Sequence, residues 1–523
     1  MSYLIRASLF AVYLSFAFVG ARFAHAAHIS IGVSSDITSM DPHHLNLAPN
    51  MNIAEQVFSA LLVNDENQRL RPGLAESWRA IDELTWEFKL RRGVEFHNGM
   101  ELTAQDVKFS IERTRSVKGG QLAIFTRSIV NMRMLDNYTI HLTTANPEPN
   151  LPNDLRAVPI VNATAAAGAT SADFDSGKAM VGAGPFRFVK FIRGDRVELA
   201  RHERYWGEKP HWSSATFRIL SNDVSRVAAL LSREVDVIEA VPPVDIPTLR
   251  SQADIEIAVT PSNRMIHFHL DSSRDISPFV TTKTGKPLDK NPLKDVRVRQ
   301  ALSKAIDRDA IVKRTMEGSA TSAGQFVPAG MYGYSPDLKP EQYDPAGARK
   351  LLADAGYPDG FGLMLHGPND RYVNDEQVLQ AVAQMISKVG IVVKVVAMPM
   401  AAHMARLQRG EVGVALLGLG VSSGEASYPL KALVATWDAT RGYGHYNFGR
   451  YSNPKLDEML NSALRTIDDR KRERMLQDAT FLAIKDYGII PLHFQVGAWA
   501  MRRPLKYSAR MDERTYAHAV RPQ

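Results

Sequence analysis

Cysteine is absent from all 523 residues. Its absence excludes disulfide bonds, a thiolate metal site and acylation of a cysteine at a lipoprotein cleavage site. A chain of this size must then be held by large apolar cores. Long hydrophobic runs are lacking beyond residue 20. The nearest approach, VGIVVKVVAMPM (389–400), is interrupted by Lys394 and Pro399, too soon for a bilayer span. No G-x-x-x-x-G-K-[ST] loop is present for nucleotide phosphates, and no H-E-x-x-H for zinc. Internal repeats are also missing. Basic residues are dispersed rather than gathered into a run with interleaved aromatics, which excludes an obvious nucleic-acid surface.

What is present begins with a distinct N-terminus. Arg6 precedes the apolar run ASLFAVYLSFAFVG (7–20), and Ala24-His25-Ala26 has the small-x-small form of a cleavage site. Residues 1–26 therefore read as a secretory signal peptide, and a freely soluble protein of a bacterial periplasm is expected. Its removal takes Arg6 and Arg22 and no acid, leaving 61 basic against 56 acidic residues, a mild positive balance that suits anionic solutes. With 45% hydrophobic and 23% charged residues, the remainder is globular and long enough for two or three domains.

Helix and strand signals are mixed along the chain. Asp344-Pro345 opens a helix that Gly356 and Pro358 close. Asp295 caps another, whose Val298, Ala301, Leu302, Ala305 and Ile306 share one face. LTWEFKLRRGVEF (84–96) alternates as two strands around Arg92-Gly93, and NYTIHLTT (137–144), RVELARH (196–202) and IHFHLD (266–271) also read as strands. The small-residue segment 162–184 reads as a surface connection. Without a strict βαβ rhythm, the expected class is α/β with lobes built on mixed sheets.

The stretch VEFHNGMELTAQDVKFS (94–110) crowds His97, Asn98, Glu101 and Asp106 together as an active site would. Asn98-Gly99 is a turn signal, however, and Thr103 stands three residues before Asp106 as in a capping box. Scaffold explains these residues without chemistry.

This stretch, within WEFKLRRGVEFHNGMELTAQDVKFSIERT (86–114), resembles the family 5 extracellular solute-binding proteins. So do RPGLAESW (71–78), GAGPFRFVKF (182–191), RYWGEKP (204–210) and LLSREVDVIEAVPP (230–243). NPLKDVRVRQALSKAIDRDAIV (291–312), YDPAGARKLLADAGYPDGF (343–361), YSNPKLDEML (451–460) and IIPLHFQ (489–495) continue the likeness in order. The resemblance implies a two-lobed clamshell with an extra domain inserted in the first lobe. First-lobe pieces are expected at 27–64, 184–285 and 486–523, the insertion at 65–183, and the second lobe at 286–485. It further implies a monomeric, non-catalytic receptor without cofactor, which delivers a peptide or related carboxylate-bearing solute to an ABC permease driven by a separate ATPase. An opine, a glutathione-like compound or a nickel chelate is the alternative cargo.

Candidate site residues follow from the same resemblance. In peptide-binding relatives an arginine beyond a Pro-containing strand end receives the peptide carboxylate. HGPNDRYVND (366–375) puts Arg371 there, beside Tyr372, and a guanidinium fork matches a carboxylate. The relatives also carry a Gly-Trp pair, and an aspartate three residues on that holds the peptide ammonium. Here Leu419 replaces the tryptophan, Gly420 follows, and Ser422 stands at the aspartate position. A hydroxyl does not neutralise an ammonium, so a free peptide amino terminus is in question. Glu425 is a substitute if it turns inward, although a solvent-facing side chain is expected. Tyr428, Trp437, His44 and His445 complete the candidate pocket, while Trp86, Trp206 and Trp212 are assigned to core. His267 and His269, alternating with Phe268, are expected to face an interface or solvent, so no metal site is expected. One reading from another class is a secreted serine hydrolase, because Gly420-Val421-Ser422-Ser423-Gly424 matches G-x-S-x-G, with Asp438 and His445 as acid and base.

Overall fold

A computed structural model describes residues 27–421 and 423–523; the expected signal peptide and Ser422 lie outside the described residues. The chain opens with β1 (His28–Val33). A separate unit follows, with β2 (Ala75–Ala80), β3 (Thr85–Leu90), α1 (Ala104–Ser116), β4 (Ile129–Asp136) and β5 (Thr139–Thr144). Its four strands form their own sheet in the order β2–β3–β5–β4. Phe88, Phe96, Val107, Ile111, Ile140 and Leu142 fill the core beneath it.

The chain then adds β6 (Phe186–Ile192), β7 (Arg196–Arg201), β8 (Ser214–Ile219), β9 (Val237–Ile238) and the long β10 (Ile255–Leu270). Beyond it come β11 (Val280–Thr281), α2 (Val296–Lys304), β12 (Ala320–Ser322), β13 (Gly362–Pro368), α3 (Asp375–Ser387), β14 (Val392–Met398), α4 (Met400–Arg409) and β15 (Val414–Gly420). Last are α5 (Asp469–Lys485) and β16 (Ile490–Arg502). Twelve of these strands form one mixed sheet, ordered β11–β13–β15–β10–β16–β9–β1–β8–β7–β6, with β14 on β13 and β12 on β16.

Two strands carry this sheet from one lobe to the other. Ile255–Pro261 of β10 pairs antiparallel with Val496–Arg502 of β16 in the first lobe, and Met265–Phe268 pairs with Ile490–Phe494 in the second. Between Pro261 and Met265 the register shifts. Proline has no N–H for the ladder, and a bulge turns both strands there. Separate cores flank the break. Ile29, Phe58, Phe186, Phe217 and Trp499 pack in one lobe, and Phe268, Leu302, Leu365, Val382 and Leu416 in the other.

Local signals act as expected at several points. Asp344 accepts from Gly347 N at 2.8 Å and Asp295 from Arg297 N at 2.9 Å, each opening its helix. In the polar stretch, Gly99 takes φ +83°, and the Asp106 carboxylate accepts from Thr103 N at 3.0 Å and Ala163 N at 2.9 Å. His97 is half-buried, its ring edge-on to His202 at 4.8 Å, and desolvation pulls its pKa down to about 3. These residues hold the scaffold. Two local expectations fail. After Arg92-Gly93 the second strand shrinks to one bridge between Glu95 and Glu101, because the chain turns back at Asn98-Gly99. Residues 162–184 are no plain surface connection. They hold two short helices capped by Asn162 and Thr170, and Phe174, in the second of them, is fully buried.

Candidate functional site

β13, β14 and β15 run parallel, so their carboxyl ends open on one side of the second lobe. The loop after β13 carries Arg371 and Tyr372. Asp375, at the start of α3, fixes it by accepting from the backbone N–H groups of both residues at 3.0 Å. The Arg371 guanidinium is exposed, lies 5.5 Å from the Tyr372 ring centroid, and has no carboxylate partner among the described residues. Tyr372 turns inward and donates its hydroxyl to Gly418 O at 3.1 Å. Burial raises the phenol's pKa, while the charges of Arg371 and Arg264 act in the opposite direction.

Arg371, Tyr372 and Gly420 are thus brought to one sheet end. The other candidates are distributed differently. Leu419 packs against the cluster that includes Met265, Leu430 and Phe494. Its side chain leaves on the opposite face from Gly418 and Gly420, as strand alternation requires. Tyr428 and His445 form an aromatic group with Tyr446, at ring separations of 6.3 Å and 4.3 Å from His445. Trp437 is half exposed under the Arg450 guanidinium at 4.5 Å. His44 lies in the first lobe, where its Nε2 is 3.7 Å from the place a Cβ on Gly119 would take.

The solvent-facing orientation expected for Glu425 is not found. The side chain is 1% exposed; it accepts from Arg472 Nη1 at 2.8 Å, from Arg472 Nη2, and from the Ser427 hydroxyl. Burial disfavours the Arg472 charge, yet the neighbouring Glu425 holds its pKa above the ordinary range. The pair forms one wall of a crevice of about 660 Å³ between the inserted unit and the second lobe, opposite Trp78, Trp86 and Pro149. That crevice was not foreseen. Its walls come from segments far apart in sequence, and no local pattern marks them.

His267 and His269 are likewise corrected. Both are buried, with their Nε2 atoms 3.0 Å apart. Helix α4 covers their side of the sheet, and its His403 bonds Leu416 O at 3.0 Å. Among the described residues, no group of three histidine, aspartate or glutamate side chains is placed to hold a metal ion. Asp438 pairs with Arg441 at 2.7 Å and His445 contacts Gly442 O at 3.3 Å, so neither is aligned on the other as a catalytic pair. No described helix is long and apolar enough to cross a membrane.

Comparison with known proteins agrees with this architecture. The family model "Bacterial extracellular solute-binding proteins, family 5 Middle" matches residues 69–440. The glutathione-binding protein GsiB of Pectobacterium atrosepticum is 32% identical over 458 residues, covering 86% of this chain and 85% of its own. Among solved structures, HbpA2 of Haemophilus parasuis superposes with a TM-score of 0.82 at 23% identity, covering 95% of this chain and all of that one. The periplasmic binding protein DppA of Helicobacter pylori, solved with the peptide STSA, gives 0.73 at 23% identity, covering 95% and 98%. With a two-lobed mixed sheet, two crossing strands and a family match over most of its length, the chain belongs to the family 5 bacterial extracellular solute-binding proteins.

Proposed function

We propose that this protein is the periplasmic receptor of an ABC importer. It captures a small carboxylate-bearing solute, a peptide of the glutathione kind first among them, between its two lobes. It then passes the solute to a membrane permease whose partner ATPase supplies the energy. The receptor acts as a monomer and catalyses nothing. The inserted unit follows the division at residues 64 and 183, and residues 1–26 direct export. The lobe boundaries expected at 285 and 485 move to the crossing itself, at residues 261–265 of β10 and 494–496 of β16, because residues 265–281 and 490–494 pack in the second lobe's core. The observation that carries the reading is Arg371, an exposed guanidinium without an acid partner among the described residues, where three parallel strands end. Such a group offers a planar fork to a carboxylate and stays charged when the cleft closes on it. The name of the Pectobacterium relative supports the solute class.

A thermal-shift screen tests this. Small peptides, glutathione, opines and nickel chelates are added to the mature protein, since a ligand bound only by the folded state raises its melting temperature. A rise with a carboxylate-bearing peptide, lost in Arg371→Ala, is expected. A rise with a cation-only chelate, equal in both proteins, would refute the reading.

A further inference from the structure

We propose that Arg264 is a second anion-binding residue of this cleft, so that the receptor selects a solute with two carboxylates, one for each guanidinium. The inference rests on the assignment of Arg371 as the first. Antiparallel pairing of β10 with β15 sets Arg264 opposite Gly420 and Ile266 opposite Gly418. Residues two apart on a strand share a face, so both glycines lie under the same surface. Neither has a side chain to fill it. The Tyr372 ring takes the space over Gly418, 2.7 Å from where a Cβ would stand. The Arg264 guanidinium lies over Gly420, with Nη2 at 3.6 Å and Cζ at 3.7 Å from the corresponding point. Arg264 and Arg371 therefore both act on one phenol, Arg264 from β10 and Arg371 from the loop that follows β13, two strands along the sheet.

Arg264 is also braced. Its Nη2 donates to Glu513 at 3.3 Å, and the Ser262 hydroxyl donates to the other Glu513 oxygen at 2.6 Å. Nε and Nη1 of Arg264 have no partner among the described residues, and the side chain keeps 21% of its exposure. The guanidinium is thus held in place with its remaining donors open to the cleft. Arg264 stands at the register break where β10 crosses between lobes, whereas Arg371 belongs to the second lobe alone. A solute that engages both binds the crossing and the lobe together, and such joint contacts favour one arrangement of lobes over another.

Calorimetric titration of the mature protein, Arg264→Gln and Arg371→Ala with glutathione, glutathione monoethyl ester and trialanine tests the assignment. The three probes carry two, one and one free carboxylates. Wild type is expected to bind glutathione best. Arg264→Gln should lose about tenfold or more of that affinity and no longer distinguish glutathione from its ester, while Arg371→Ala weakens every probe. If Arg264→Gln binds glutathione as wild type does while Arg371→Ala does not, Arg264 has no such role and the Arg371 reading stands. If both variants bind as wild type does, or wild type binds no probe, both assignments fall. Preference of the wild type for the ester or trialanine overturns the two-carboxylate claim without any variant, so a misfolded Arg264→Gln does not protect it.

Discussion

Glu425 shares its carboxylate with Arg472 in the protein interior, and its chemistry is structural there. Removing one member of a buried ion pair leaves the other charge desolvated and uncompensated. Glu425→Gln should therefore lower stability by about 3–5 kcal/mol, measured as the urea midpoint. An unchanged midpoint would return Glu425 to the solvent or to the solute. Gly418 makes the opposite kind of demand. A Cβ there would stand 2.6 Å from Ile266 Cδ1 and 2.7 Å from Tyr372 Cε1. Gly418→Ala should displace Tyr372, cost about 1–3 kcal/mol of stability and weaken solute binding, and wild-type melting and affinity would contradict this. At this scale the sequence was legible where a motif names a position. Arg371 is named in HGPNDRYVND by the resemblance to peptide-binding relatives alone. Arg264 is not, because its place depends on which residue of β15 lies opposite it.

Strand β10 is the element whose reading changed most. His267 and His269 alternating with Phe268 have the pattern of a half-exposed strand, yet this end of β10, residues 265–270, is covered on both faces. Helices α2 and α3 pack with Phe268, while α4 lies over the histidines. The result is a buried imidazole layer of His267, His269, His366 and His403. Burial lowers the pKa of each, to about 4 for His267 and His366. An imidazole with a folded pKa below the unfolded one binds protons more readily when unfolded. Its contribution to stability is intact above about pH 6.5 and is lost as the pH falls toward 4. Each histidine adds a slope of up to about 1.4 kcal/mol per pH unit in that window. Urea midpoints should hold between pH 7.5 and about 6.5 and then fall steadily to pH 5, and a flat profile below pH 6.5 would show that the layer is hydrated. The strands and capped helices themselves could be read locally from alternation and from Asp295 and Asp344. Which strand faces are covered is a tertiary fact, and periodicity does not carry it.

Over the whole molecule, two lobes share one sheet through β10 and β16. The overall architecture was legible because family segments recur in order from residue 71 to residue 495. The crevice between the inserted unit and the second lobe was not, because Trp78 and Arg472 lie nearly four hundred residues apart. A cleft of this form works by binding both lobes at once, so affinity and closure should be linked. The decisive measurement is calorimetric titration of the mature protein and Arg371→Ala with the solute that stabilises the wild type most, glutathione being the first tested. Tight binding by the wild type and a loss of at least about a hundredfold in Arg371→Ala is expected for a carboxylate held at the strand ends. Equal affinity in the two proteins would place the solute elsewhere and contradict the assignment of this site.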